Sequence, residues 1–110
     1  MQRWDLLELD APAGTRDPIV LHSDDGARAV LIVLTAGQSL GDHQVRENAW
    51  VLVLEGSIHL SSGDGPPHVA ESGTLTRFDA GERHALTSPD GARVLLVLAP
   101  WPAEGHYLTA

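Results

Sequence analysis

Two stretches decide the fold, GQSLGDHQVRENAWVLVLEG at Gly37–Gly56 and GTLTRFDAGERHALTS at Gly73–Ser88. In the first, the polar turn Arg46-Glu47-Asn48 leads into the apolar run Trp50–Leu54, which Glu55-Gly56 ends. Residues two apart on a β-strand share a face, so Ala49, Val51 and Val53 fall on one side and Trp50 on the other. In the second, His84, Leu86 and Ser88 share a face. Working outward, short apolar segments alternate with turn signals, which predicts an all-β sandwich or barrel. The expected strands are Leu6–Leu9, Ile19–His22, Ala29–Thr35, Trp50–Leu54, Ser57–Ser61, His68–Glu71, Thr74–Phe78, His84–Ser88 and Arg93–Ala99. Breakers such as Asp24-Asp-Gly26, Ser62-Gly-Asp-Gly-Pro-Pro67 and Ser88-Pro-Asp-Gly91 separate them. No segment carries a sustained helical period with caps, so little or no helix is expected.

Ala29–Leu34, Trp50–Leu54 and Val94–Ala99 are apolar at nearly every position. A strand with one wet face should alternate, so continuous apolar character means that both faces are covered. Two coverings fit: the chain's own termini, or a second copy in a homodimer. The homodimer is the preferred expectation.

A chain of 110 residues is one domain, 1–110, with room for a single core. No apolar run is long enough to span a bilayer, and MQRWDLLELD is acidic where a signal peptide is basic, so a cytoplasmic protein is expected. With no cysteine, thiolate ligands and a cysteine nucleophile are excluded; with no lysine, so is Schiff-base chemistry. The richness in Ala, Gly and Arg suggests a bacterial source. A net charge of −8 repels phosphate backbones, so no nucleic-acid partner is expected.

The two stretches resemble the paired motifs of the cupin superfamily, G-x5-H-x-H-x3-E-x6-G and G-x5-P-x-G-x2-H-x3-N. Gly37, His43 and Gly56 match the first (37–56), and Gly73, Gly81 and His84 match the second (73–88). The remaining positions differ: Val45 stands for the second histidine, Ala49 for the glutamate, Asp79 for the proline and Ser88 for the asparagine. The chain thus looks like a small single-domain bacterial cupin with a degenerate metal motif. The resemblance implies a double-stranded β-helix, or jelly-roll barrel, and sheet-to-sheet pairing. It also implies that His43 and His84 point inward among Val45, Ala49, Val51 and Leu86, which would line the pocket.

Two imidazoles make a poor site for Fe, Mn, Ni, Cu or Zn, because catalytic sites usually supply three protein ligands. Glu47 would complete a two-histidine, one-carboxylate set if its turn folds back; otherwise it is a solvated turn carboxylate. Without metal, His43 and His84 are candidate general acid and base, or a hydrogen-bonded buried pair. Gln44 and His59 should face away from the site, and His22 and His68 should be exposed. Arg83 is either salt-bridged or solvated, or a clamp for a substrate carboxylate. Asp79, in place of a stiffening proline, either leaves its turn looser or caps that turn with its side chain. The segment Trp101–Tyr107, with His106, either packs over a barrel edge or forms a lid, and Trp4 offers a matching contact.

Two functions follow as expectations. One is an enzyme acting on a small organic molecule, with a reduced or absent metal site and His43 and His84 as ligands or as acid and base. The other is a non-catalytic, dimeric small-molecule-binding protein with a regulatory or accessory role.

Overall fold

The structure, a computed structural model, describes residues 1–10, 19–43 and 45–103, with the side chains of 41–43 left out. The described residues form eight strands and no helix: β1 (Ile19–Ser23), β2 (Arg28–Leu34), β3 (Gln38–His43), β4 (Asn48–Ser62), β5 (His68–Glu71), β6 (Leu75–Phe78), β7 (His84–Ser88) and β8 (Ala92–Ala99). All pairings are antiparallel. One sheet runs β1-β2-β8-β4-β6 and the other runs β3-β7-β4-β5. The expected all-β jelly roll forms.

β4 belongs to both sheets. Its first half pairs with β6 and β8, and its second half pairs with β5 and β7. The bend lies at a register shift between Val53 and Glu55, which reverses the alternation. Ala49, Val51 and Val53 are buried before it, Ile58 and Leu60 after it. Gly56 sits at the bend with φ 77°, and a Cβ there would stand 2.2 Å from the carbonyl oxygen of Gly91. Only glycine fits both the left-handed backbone and the close approach of the β7–β8 turn.

The core between the sheets holds Val30, Ile32 and Leu34 from β2 and Ala49, Val51, Val53, Ile58 and Leu60 from β4. Phe78, Leu86, Val94 and Leu98 close it from the other strands. Each fully buried Val or Leu stabilises the fold by about 1.5–3 kcal/mol.

Two expected elements are corrected. Leu6–Leu9 is a turn, not a strand: the Asp5 carbonyl accepts from Glu8 N and Leu9 N, and its carboxylate accepts from Leu7 N. Gln38–His43 is a strand that apolar patterning missed, because β3 is an edge strand with a single large apolar residue, Leu40. The runs Trp50–Leu54 and Ser57–Ser61 are two parts of one strand.

The outer face of the first sheet carries an apolar row in register: Ile19, Leu31, Leu95, Leu52 and Leu75. Leu31 is only 1% exposed although it alternates with the core-facing Val30 and Ile32. On the same face Arg93 donates to the carbonyl oxygens of Leu6 and Leu9, which places the N-terminal turn against β8. Own-terminus covering therefore accounts for part of this face. Trp50, Leu52 and Leu54 remain half-buried and Leu75 exposed.

Candidate functional site

One end of the barrel gathers the segment before β4, the β6–β7 loop and the chain after β8. Gly81 N donates to the Val45 carbonyl at 2.8 Å, and Ala80 N donates to Asn48 Oδ1 at 3.0 Å. Gly63 N donates to the Arg83 carbonyl at 2.9 Å, which ties the start of the β4–β5 connection to the same loop. The backbone register sets His43 opposite His84, and His84 opposite Ser62. The topology thus brings His43, Glu47 and His84 to this end, while the His43 side chain lies outside the described residues.

His84 is 4% exposed and stacks on Phe78, with ring centroids 4.5 Å apart and planes 18° from parallel. Its Nδ1 lies 3.1 Å from the Glu82 carbonyl oxygen. A carbonyl only accepts, so Nδ1 carries the proton and Nε2 is the acceptor nitrogen of the neutral ring. Glu82 is a hub of the loop. Its Oε1 accepts from Asp79 N at 2.9 Å, and its Oε2 accepts from the Ser62 hydroxyl. The Ser62 hydroxyl first, and the Asp79 amide second, hold the Glu82 carboxyl below its usual range. The expectation that Asp79 caps this turn is corrected: the cap is Glu82, and the Asp79 carboxylate pairs outward with Arg77. Arg83 is exposed.

Glu47 is not a solvated turn carboxylate. It is fully buried, and its Oε2 accepts from Ala103 N at 2.9 Å. The chain after β8 therefore folds over this end, with Trp101 half-buried against the core and the Arg28 guanidinium 4.7 Å from its ring centroid. The expected packing of this segment holds for Trp101–Ala103; His106 and Tyr107 lie outside the described residues. Trp4 is 41% exposed. Of the expected pocket lining, Ala49, Val51 and Leu86 belong to the packed core, and the half-buried Val45 packs against it.

Beside this end, where β5 and β6 diverge as facing edges of the two sheets, a slot of about 350 Å³ opens. Leu60, Ala70 and Phe78 give it an apolar floor, and Ser62, His68, Thr76 and Glu82 give it polar walls. Phe78 separates it from His84, since the ring contacts both. Ser62, His68 and Thr76 escaped sequence reasoning as site residues. The available signal was the alternation Thr74, Thr76, Phe78 leading into and along β6, polar at the rim and aromatic at the depth. A second concavity of about 370 Å³ lies by the Gly56 bend, bounded by the end of β2, the start of β8 and the turn residues Thr35, Ala36, Asp90 and Gly91.

The pattern model described as "Cupin domain" matches residues 30–99, from β2 to the end of β8. The chain belongs to the cupin family. Solved structures with the same fold include a double-stranded β-helix protein from Klebsiella pneumoniae, at 19% identity over 94% of this chain and 93% of that one, TM-score 0.79. An RmlC-like cupin from Desulfovibrio desulfuricans is similar at 21% identity over 91% and 97%, TM-score 0.78. A cupin superfamily protein from Desulfitobacterium hafniense is similar at 15% over 86% of each chain, TM-score 0.77. No curated protein matches the chain. Cupins often bind a metal. Two of the four motif positions, Val45 and Ala49, are apolar and lie in or against the core. Among the described residues, no three His, Asp or Glu side chains are grouped to hold an ion. The residues at the motif positions do not fit the four-ligand metal site.

Proposed function

We propose that this cupin binds a small organic molecule in the slot between β5 and β6. The observation that carries the reading is the slot itself: an apolar floor cut from the core and walled by hydroxyls, an imidazole, an arginine paired with Asp79 and a hydrogen-bonded carboxylate. Ligand sites are commonly concavities of this kind, mostly apolar with a few placed polar groups. The test is a titration of isotope-labelled protein with millimolar benzyl alcohol, read by NMR. Saturable shifts at Leu60, Ala70 and Thr76, abolished in a folded Thr76→Phe variant that fills the slot, are expected. Shifts of equal size in that variant would defeat the reading.

A second reading is catalytic, favoured by the geometry of His84. Its Nδ1–H is held by the Glu82 carbonyl, so Nε2 is the basic nitrogen of the neutral ring, at the barrel end that also holds His43 and Glu47. In that reading His84, with His43 opposite it, moves a proton on the bound molecule in an isomerase, lyase or cyclase reaction. Turnover lost in both His43→Ala and His84→Ala, with ligand affinity kept, would support it. Affinity without turnover in the parent protein leaves the binding function alone. The homodimer is proposed with either reading, through the outer face carrying Trp50, Leu52 and Leu75.

A further inference from the structure

We propose that the slot selects a cationic ligand, a protonated amine on an apolar body, with Glu82 as its counter-charge and the Phe78 ring as its platform. The inference rests on the slot reading above and adds the ligand's charge class. Glu82 enters the slot wall as a pre-positioned anion. Ser62 and the Asp79 amide each donate to one of its oxygens, and both hydrogen bonds favour the ionised form. A carboxylate offers about four acceptor positions, and these two donors leave room for an incoming N–H. The side chain is therefore held in place and ionised before any ligand arrives, which lowers the ordering cost of binding.

The Arg77 guanidinium is paired with Asp79 rather than with Glu82. Arg77 alternates with Thr76 and Phe78, so it projects to the outer face. There its guanidinium pairs with Asp79 and lies 5.2 Å from the Trp50 ring centroid. Arg83 is exposed on the loop, with its carbonyl bound to Gly63 N. The polar groups lining the slot are thus one carboxylate, the His68 imidazole, hydroxyls from Ser61, Ser62, Thr74 and Thr76, and Arg77, whose guanidinium is paired with Asp79. An anionic ligand would meet Glu82 with like charge. A bare metal ion would find one carboxylate and an apolar floor, too few hard donors for a stable site. An ammonium group suits both the carboxylate and the face of an aromatic ring. The apolar remainder of the ligand suits Leu60 and Ala70. The chain's net charge of −8 draws cations in the same direction.

The experiment compares three one-ring probes at pH 8 by NMR titration: benzylamine, benzyl alcohol and phenylacetate. Benzylamine is expected to bind about tenfold more tightly than benzyl alcohol, the gain typical of a charge-assisted hydrogen bond. Phenylacetate should be the weakest. Glu82→Gln keeps an oxygen for the Asp79 amide and turns its NH2 to the Ser62 hydroxyl, which can accept; it should bring the benzylamine affinity down to that of benzyl alcohol in the same variant. Equal affinities for benzylamine and benzyl alcohol at the slot residues would overturn the cation inference and leave the slot reading standing. An advantage that survives Glu82→Gln would also overturn it. No saturable shift at Leu60, Ala70 or Thr76 with any probe would overturn both.

Discussion

Replacing Gly56 by alanine tests the geometry that joins the two sheets. Its φ of 77° is left-handed, and its missing Cβ would lie 2.2 Å from the Gly91 carbonyl oxygen, where real Cβ atoms stay beyond 3.0 Å. The neighbouring turn has little room to retreat, because a Cβ built on Gly91 itself lies 3.3 Å from the Leu34 carbonyl oxygen. Left-handed backbone costs a residue with a Cβ about 1–2 kcal/mol, and overpacking against backbone adds about 1–3 kcal/mol. Gly73 provides the control, since its φ is 92° and nothing lies within 4 Å of its Cβ position. Gly73→Ala should therefore lose only the conformational part, about 1–2 kcal/mol, and Gly56→Ala about 2–5 kcal/mol. The gain from stiffening the unfolded chain is common to both and cancels in the comparison. Urea denaturation at constant m-value reads both losses. If the two variants lose the same stability, the contact between the β4 bend and the β7–β8 turn is not a close one, and the argument fails.

Other expectations are open to simple measurement. The Glu82 carboxyl is held below its usual range, so its stabilising effect is complete at pH 7 and is lost as pH falls through the lowered folded value. The urea midpoints of wild type and Glu82→Gln should therefore converge on acidification from pH 7 toward pH 2, and a constant gap would contradict the assignment. Glu47→Ala removes the acceptor of Ala103 N and should cost about 1–3 kcal/mol; a neutral effect would mean that the chain end is not anchored there. Plasma mass spectrometry of untagged protein should find well under one equivalent of Fe, Mn, Ni, Cu or Zn. A full equivalent that disappears in a His43→Ala/His84→Ala double variant would refute the reading of Val45 and Ala49. Light scattering should give twice the chain mass at micromolar concentration and the single mass for Trp50→Glu, whose position lies on the outer face beside Arg77; a monomeric parent would remove the dimer.

What the sequence discloses follows the range over which its signals act. Alternation is local, so the inward set Ala49, Val51, Val53 and the shared face of His84, Leu86 and Ser88 could be read directly, and all six are buried. Motif spacing carried the family because turn lengths are also local. β3 escaped because an edge strand need not be apolar, and QSLGDH carries too little side-chain pattern. The burial of Glu47 was not legible, since the amide that partners it comes from Ala103, 56 residues later. The slot was hidden for the same reason: its walls come from β4, β5, β6 and the β6–β7 loop, and only the divergence of two sheet edges joins them. The hydrogen bond of Glu82 to Ser62 joins residues 20 apart in the chain, so no local signal discloses it.

One 15-residue strand, β4, serves both sheets, and this shapes how the molecule comes apart. Neither sheet can open at β4 without pulling on the other, so the barrel has no half that melts first. Amides at the centre of β4, from Val51 to Leu60, should exchange with solvent only through complete unfolding, as a single cooperative block. The edge strands β1, β3, β5 and β6 should exchange earlier and by separate routes. A ligand in the slot would then slow exchange at β5 and β6 without touching the slowest amides until binding outweighs the global opening.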